Sequence, residues 1–285
     1  GFIEVPETPD EPNGTMIPIH IAIASSTATQ PEPDPVFFFA GGPGQAASET
    51  WVLIQGTLNK IREKRDIVMI DQRGTGQSNK LACPIDEDMS LNVERGLEYV
   101  AEQTTICRDQ LEADLRFYTT DIAMSDYDRV REAMGYEQIN IMGVSYGTRA
   151  AQVYLKKYPE SVRTVVLDSV VPMQLALGQE IAPMLDAALA LVFSDCYSNQ
   201  ECNERFGDSL NQLNALAAEL REEARWVTIS DPITGEDREI RMSAETLAVA
   251  VRLLSYASET QAMLPILIDE AIALGSLDRL AAQAM

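Results

Sequence analysis

The sequence predicts an α/β protein, with a mainly parallel sheet and helices on both faces over residues 1–172 and a mostly helical region over residues 173–285. Three observations predict it. Short apolar, β-branched runs at residues 36–40, 66–70, 138–144 and 162–168 alternate with helix-patterned stretches. Polar or glycine-rich loops follow the carboxyl ends of these runs. Beyond Pro172 the pattern becomes helical, broken only by a β-hairpin pattern at residues 225–242.

Residues 1–12, rich in proline and acids, read as an irregular lead-in. Over residues 16–24, Ile17, Ile19, Ile21 and Ile23 alternate with other residues, as in a strand with one buried face, and His20 falls on the opposite face. Pro31, Pro33 and Pro35 form a stiff turn into the apolar run 36–40. Residues 50–64 have a helical pattern, and 66–70 form a buried strand. Residues 91–115 have helical composition and carry Cys107. Thr119 supplies an N-cap for a helix ending at Ala133 or Met134, and Gly135 stops it. The strand 138–144 runs into a helix over 146–158, and 162–168 is the next strand. Later stretches at 182–196, 208–224, 244–256 and 259–273 read as helices. Residues 226–229 and 239–242 flank a turn at Pro232 and Gly235.

Composition narrows the function classes. The chain of 285 residues is 46% hydrophobic and 23% charged, enough to bury a large core and unlike a disordered chain. Its formal charge of −22 argues against nucleic acid and anionic membrane surfaces as partners. The acidity suits solubility or a saline habitat, and it permits cationic substrates. No C-x-x-C or histidine-rich pattern exists, so no metal and no other cofactor is expected. The four cysteines fall into two sequence-local pairs, Cys83–Cys107 and Cys196–Cys202. Paired as disulfides, they imply a periplasmic or secreted protein; four buried thiols in a cytosolic protein are the alternative. Neither a signal peptide nor a membrane-spanning run is read in the sequence, so no membrane insertion is expected and an exported form would be a processed or trimmed chain.

The residues that bear chemistry are Gly143-Val144-Ser145-Tyr146-Gly147, placed between a strand and a helix. A serine at a sharp strand-to-helix turn occupies a strained conformation, and bulk two residues to either side would collide with the adjoining elements. Ser145 is therefore the candidate nucleophile. The N–H of Tyr146, first in the helix, has no intrahelical partner and can donate to an oxyanion. Gly41-Gly42-Pro43-Gly44 follows an apolar strand, and the Gly42 N–H is the candidate second donor. Arg73, in the loop 71–78, reads as structural because acyl transfer needs no cation there.

At these residues the chain resembles the α/β-hydrolase superfamily, and within it the proline iminopeptidase and tripeptidyl aminopeptidase branch of serine peptidases. The carrying stretches are Gly41-Gly42-Pro43-Gly44, residues 71–78 (Asp-Gln-Arg-Gly-Thr-Gly-Gln-Ser), Tyr118-Thr119-Thr120, and residues 143–149 through to Pro172. The resemblance implies that Ser145 attacks the scissile carbonyl of a peptide with a free N-terminus. It implies that Tyr146 and Gly42 form the oxyanion hole, and that the region after Pro172 is a lid. In such exopeptidases lid carboxylates bind the substrate ammonium, for which Glu180, Glu201, Glu204 and Glu245 are among the possibilities beside plain surface acids. Ala40 departs from the histidine that commonly precedes Gly-Gly-Pro-Gly in proline iminopeptidases; this favours the tripeptidyl aminopeptidase-like group, as do the paired cysteines.

In this fold the triad runs nucleophile, acid, histidine along the chain. No histidine follows Ser145, and the sole one, His20, lies on an early strand and is not expected to be the base. Asp168 ends a strand after the serine; a structural role is expected for it, because the resemblance puts the acid on a later strand. The expectation is an N-terminal fragment lacking the acid and histidine strands, inactive or incomplete by itself, and prone to self-association or to pairing with a complementing C-terminal segment. Two other functions remain open: an esterase or lipase-like hydrolase, and a non-catalytic hydrolase scaffold used for binding or assembly.

Overall fold

The computed structural model describes residues 1–83, 96–231 and 234–284. These fall into two compact units, one of residues 1–83 and 104–175 and the other of residues 96–103 and 176–284.

The first unit is built on a six-stranded sheet. Its strands are β1 (Phe2–Pro6), β2 (Met16–Ala24), β3 (Val36–Phe39), β4 (Ile67–Ile70), β5 (Ile139–Val144) and β6 (Val162–Asp168), in the spatial order β1-β2-β4-β3-β5-β6. The last four are mutually parallel, and β1 and β2 join antiparallel. Fully buried Val36, Phe37, Phe38, Ile67, Val68 and Met69 make β3 and β4 apolar on both faces, as central parallel strands require. One face packs against α3 (Thr120–Ala133) and α4 (Tyr146–Lys157) through Met124, Tyr127, Val130, Ala151 and Tyr154. The other packs against α1 (Ala47–Arg62) through Leu58, Trp51 and Ile54. Helix α2 (Gly96–Gln110), which belongs to this unit from Thr104 on, is tied by a disulfide between Cys107 and Cys83, with Cα atoms 5.4 Å apart. The predicted helical residues 91–95 and the turn residue Pro232 lie outside the described residues.

The irregular lead-in expected at residues 1–12 is corrected: Phe2–Pro6 pairs with β2, from Phe2↔His20 to Pro6↔Met16. The short run Phe2-Ile3-Glu4-Val5 gains its strand conformation from the free edge of β2. Its Val5 is 1% exposed, and the terminal ammonium donates to the Ile21 carbonyl at 2.7 Å. At the amino-terminal end of the sheet, Asp34 accepts from Asn140 Nδ2 (2.7 Å) and Arg65 Nε (3.0 Å), and Arg163 Nε lies 2.5 Å away. Burial pushes its carboxyl up, but these hydrogen bonds and the Arg65 and Arg163 charges outweigh it and hold the pKa at about 2.

The second unit contains α5 (Ile181–Ser198), α6 (Gln200–Phe206), α7 (Ser209–Glu222), the antiparallel pair β7 (Arg225–Ser230) and β8 (Asp237–Met242), α8 (Ala244–Leu254), α9 (Ser258–Gln261), α10 (Leu264–Ala273) and α11 (Asp278–Ala281). Its core gathers Leu216, Leu220, Ile240, Met242, Leu247, Leu264 and Ile268. The single helix expected over 259–273 is instead two, because Pro265 lacks an N–H to continue α9 and starts the first turn of α10. A disulfide joins Cys196 to Cys202 across the α5–α6 junction, with Cα atoms 5.2 Å apart. Contrary to the sequence reading, α5 is long and apolar enough to cross a membrane by length and composition, with 17% of its residues buried in the unit.

Candidate active site

Ser145 joins β5 to α4 with φ 54° and ψ −122°, a left-handed conformation that costs a non-glycine residue roughly 1–3 kcal/mol. The surrounding glycines explain how the turn closes. A Cβ on Gly143 would stand 2.5 Å from the Gly147 carbonyl oxygen. A Cβ on Gly147 would collide with the Phe39 carbonyl at the end of β3. The amino end of α4 is thus pressed against the segment that leads into Gly41 and Gly42. Ser145 N–H donates to the Asp168 carbonyl (2.9 Å), which fixes the turn laterally to β6. Thr148 returns both its N–H (2.9 Å) and its hydroxyl (2.7 Å) to the Ser145 carbonyl. Tyr146 is buried, and its hydroxyl meets Thr120 Oγ1 at 2.5 Å.

Gly42, at φ 101°, tolerates no side chain, since a Cβ would lie 2.7 Å from Gly44 N. Neither the Gly42 N–H nor the Tyr146 N–H has an acceptor among the described residues. Two free amides therefore stand on the two segments that meet at Ser145. The glycine loop is anchored by Asp71, which is 0% exposed and accepts from Ser48 N (2.9 Å), Ser48 Oγ (2.9 Å) and Gln77 N (3.2 Å). Sequence reasoning missed this anchor, and an aspartate that ends a strand directly before a glycine-rich loop was the available signal.

Arg73 is 3% exposed and bonds Asp126 through Nε (2.6 Å) and Nη2 (2.8 Å). Its remaining donors reach the carbonyls of Glu7 (2.8 Å), Phe117 (3.1 Å) and Pro6 (3.3 Å). These partners consume the cation in holding β1, α3 and the loop 71–78 together. Tyr118 donates to Glu7 Oε1 (2.9 Å) and accepts from Asn79 (2.6 Å), and burial first, then Glu7, pushes its pKa up to about 12.

The structure does not bring His20 to Ser145. His20 Nδ1 lies 3.0 Å from Asp71 Oδ2, and β4 and β3 intervene between its strand and β5, a separation of about 14 Å at ordinary strand spacing. Asp168 uses its carbonyl for Ser145 N–H, while its carboxylate accepts from Ser169 Oγ (3.2 Å). Ser145 Oγ has no hydrogen-bond partner among the described residues. The four glutamates named above belong to the second unit. Glu204 accepts from Gln200 (2.8 Å), and Glu245, in the first turn of α8, is held below the usual carboxylate range first by its hydrogen bond with Ser243.

A strained serine between a parallel strand and a helix, with two unoccupied amides beside it, defines the hydrolase class. Residues 34–247 match the family described as alpha/beta hydrolase fold, and the chain belongs to that family. Among curated proteins it is similar to serine protease Hip1 of Mycobacterium tuberculosis (26% identical over 278 residues, 90% of this chain and 50% of that protein). It is also similar to the tripeptidyl aminopeptidase of Streptomyces lividans (27% identical, 60% of this chain and 35% of that protein). A third is the proline iminopeptidase of Lactobacillus delbrueckii subsp. bulgaricus (29% identical, 52% and 39%). The chain thus spans between 35% and 50% of the length of these relatives.

Proposed function

We propose that this chain carries the nucleophile and oxyanion hole of a serine aminopeptidase, which cleaves peptide bonds near a free N-terminus through an acyl-enzyme on Ser145. The observation that carries the reading is the left-handed Ser145 at the β5–α4 turn, with glycine forced at 143 and 147. Strain of that kind persists where the surrounding structure overdetermines it, and here it falls on one serine at a turn that carries two free amides. Ser145 Oγ attacks the carbonyl, its proton passes to an imidazole base, and the Tyr146 and Gly42 amides hold the resulting oxyanion.

The imidazole and its acid are supplied from outside these 285 residues, since the one histidine of the chain is held at Asp71. The relatives' names support the peptidase reading over an esterase, and residues 173–285 take the part of a lid that restricts access to peptide N-termini. The two disulfides support an oxidising compartment, the periplasm or the exterior.

The test compares turnover of a tripeptidyl amide, its N-acetylated form and a short acyl ester by the protein expressed from its complete reading frame. The proposal expects the free-amine amide to be preferred and all activity to vanish in Ser145→Ala. Preference for the ester would favour an esterase, and no turnover of any of the three would favour a binding scaffold.

A further inference from the structure

Gln45 lies in the turn after Gly44 and directly before Ala46, the N-cap residue of α1. A Cβ built on Gly41 would meet Gln45 Oε1 at 3.0 Å, Ser145 Cβ at 3.3 Å and the Val144 carbonyl oxygen at 3.3 Å. The Gln45 carboxamide and the Ser145 side chain therefore flank the same point, and the gap between them stays open because residue 41 has no side chain. Gln45 is exposed, and its carboxamide has no protein partner among the described residues. It is nonetheless folded back over the glycine loop rather than extended into solvent. The loop beneath it is fixed, since Ser48, three residues on, is held by the buried Asp71 carboxylate through two hydrogen bonds of 2.9 Å. A carboxamide presents two N–H donors as well as an oxygen, and half a turn about its last bond exchanges them.

We propose that Gln45 is a third, side-chain donor of the oxyanion hole. The inference rests on the reading of Ser145 as nucleophile. When the Ser145 Oγ–carbon bond forms and the Oγ proton leaves to the imidazole base, the carbonyl electron pair moves onto oxygen. Gln45 Nε2–H donates to that oxygen beside the Tyr146 and Gly42 amides, without transferring its proton. A neutral donor aimed where charge develops strengthens in the transition state and adds little to ground-state binding. Its removal should therefore appear in kcat and leave KM in place.

The experiment uses the protein from its complete reading frame, with Gln45→Ala and Gln45→Glu. It reads kcat and KM on a free-amine peptide amide, and the second-order rate of Ser145 modification by a fluorophosphonate. Gln45→Ala should lower kcat and the modification rate on the order of 100-fold, with KM within about twofold. Gln45→Glu should lower both further, because a carboxylate repels the oxyanion. Thermal unfolding should not move, since the side chain is exposed. Wild-type kcat in Gln45→Ala, or a change confined to KM, overturns the inference while leaving Ser145 as the nucleophile. A wild-type protein whose Ser145 is never modified overturns the nucleophile reading, and the inference with it.

Discussion

One chemical change, glycine to alanine, should have opposite effects at two positions of the first unit. At Gly147 the added methyl would lie 2.7 Å from the Phe39 carbonyl carbon and 2.8 Å from the Ala40 oxygen, where ordinary contact begins near 3.4 Å. These are backbone atoms of β3 and its exit, and the Phe39 carbonyl oxygen lies closer still, so α4 must withdraw by about an ångström or more. Overpacking of that kind costs typically 1–3 kcal/mol, and we expect a value near the upper end, about 3 kcal/mol. At Gly56, inside α1 with nothing within 4 Å of the new methyl, only the helix-propensity gain remains, about 1 kcal/mol of added stability. The assay is urea unfolding in a Trp226→Phe background, which leaves Trp51 on α1 as the sole tryptophan and as the reporter of the first unit. Shifts of the same sign at the two positions, or a loss at Gly147 under about 0.5 kcal/mol, would refute the claim that residue 147 must be glycine for steric reasons.

Other consequences are open to direct measurement. Asp34 has a folded pKa of about 2 against an ordinary 3.8, so its contribution of about 2 kcal/mol is complete above about pH 4 and is lost as pH falls toward 2. Asp34→Asn should flatten the acid limb of the stability–pH curve over that interval, and an unchanged limb would contradict the assignment. Arg73→Met leaves Asp126 buried without its partner and should cost about 3–5 kcal/mol, while adding Asp126→Leu should restore part of the loss. If the double variant is no more stable than the single, the buried pair is not the source of the effect. Ser145→Gly relieves the left-handed conformation and should raise stability by about 1 kcal/mol while abolishing modification by fluorophosphonates. A thermal shift assay that finds no gain would speak against stored strain.

The parallel strands were legible because burial on both faces writes a continuous apolar run, as in Phe37-Phe38-Phe39 and Ile67-Val68-Met69. Ser145 was legible because its turn needs glycine at two fixed offsets. Phe2–Pro6 was not, since a short segment among prolines and acids becomes a strand only through the edge that β2 offers it. The interruption between Gln261 and Leu264 was hidden by helical composition on both sides, although Pro265 was a local signal for it. Asp71 escaped notice because its partners lie far along the chain, at Ser48 and His20, so its place at a strand end before a glycine-rich loop was the one local signal. Gln45 carries no motif signal at all; only the distance to Gly41 brings it beside the serine.

If Ser145 is the nucleophile proposed above, beside the free Tyr146 and Gly42 amides, it should react selectively with a fluorophosphonate. The decisive measurement is peptide mapping by mass spectrometry after fluorophosphonate treatment of the protein from its complete reading frame. One phosphonyl group is predicted on the peptide that contains Ser145, and none in Ser145→Ala. Modification at another residue, or none at Ser145 in folded protein, would contradict it.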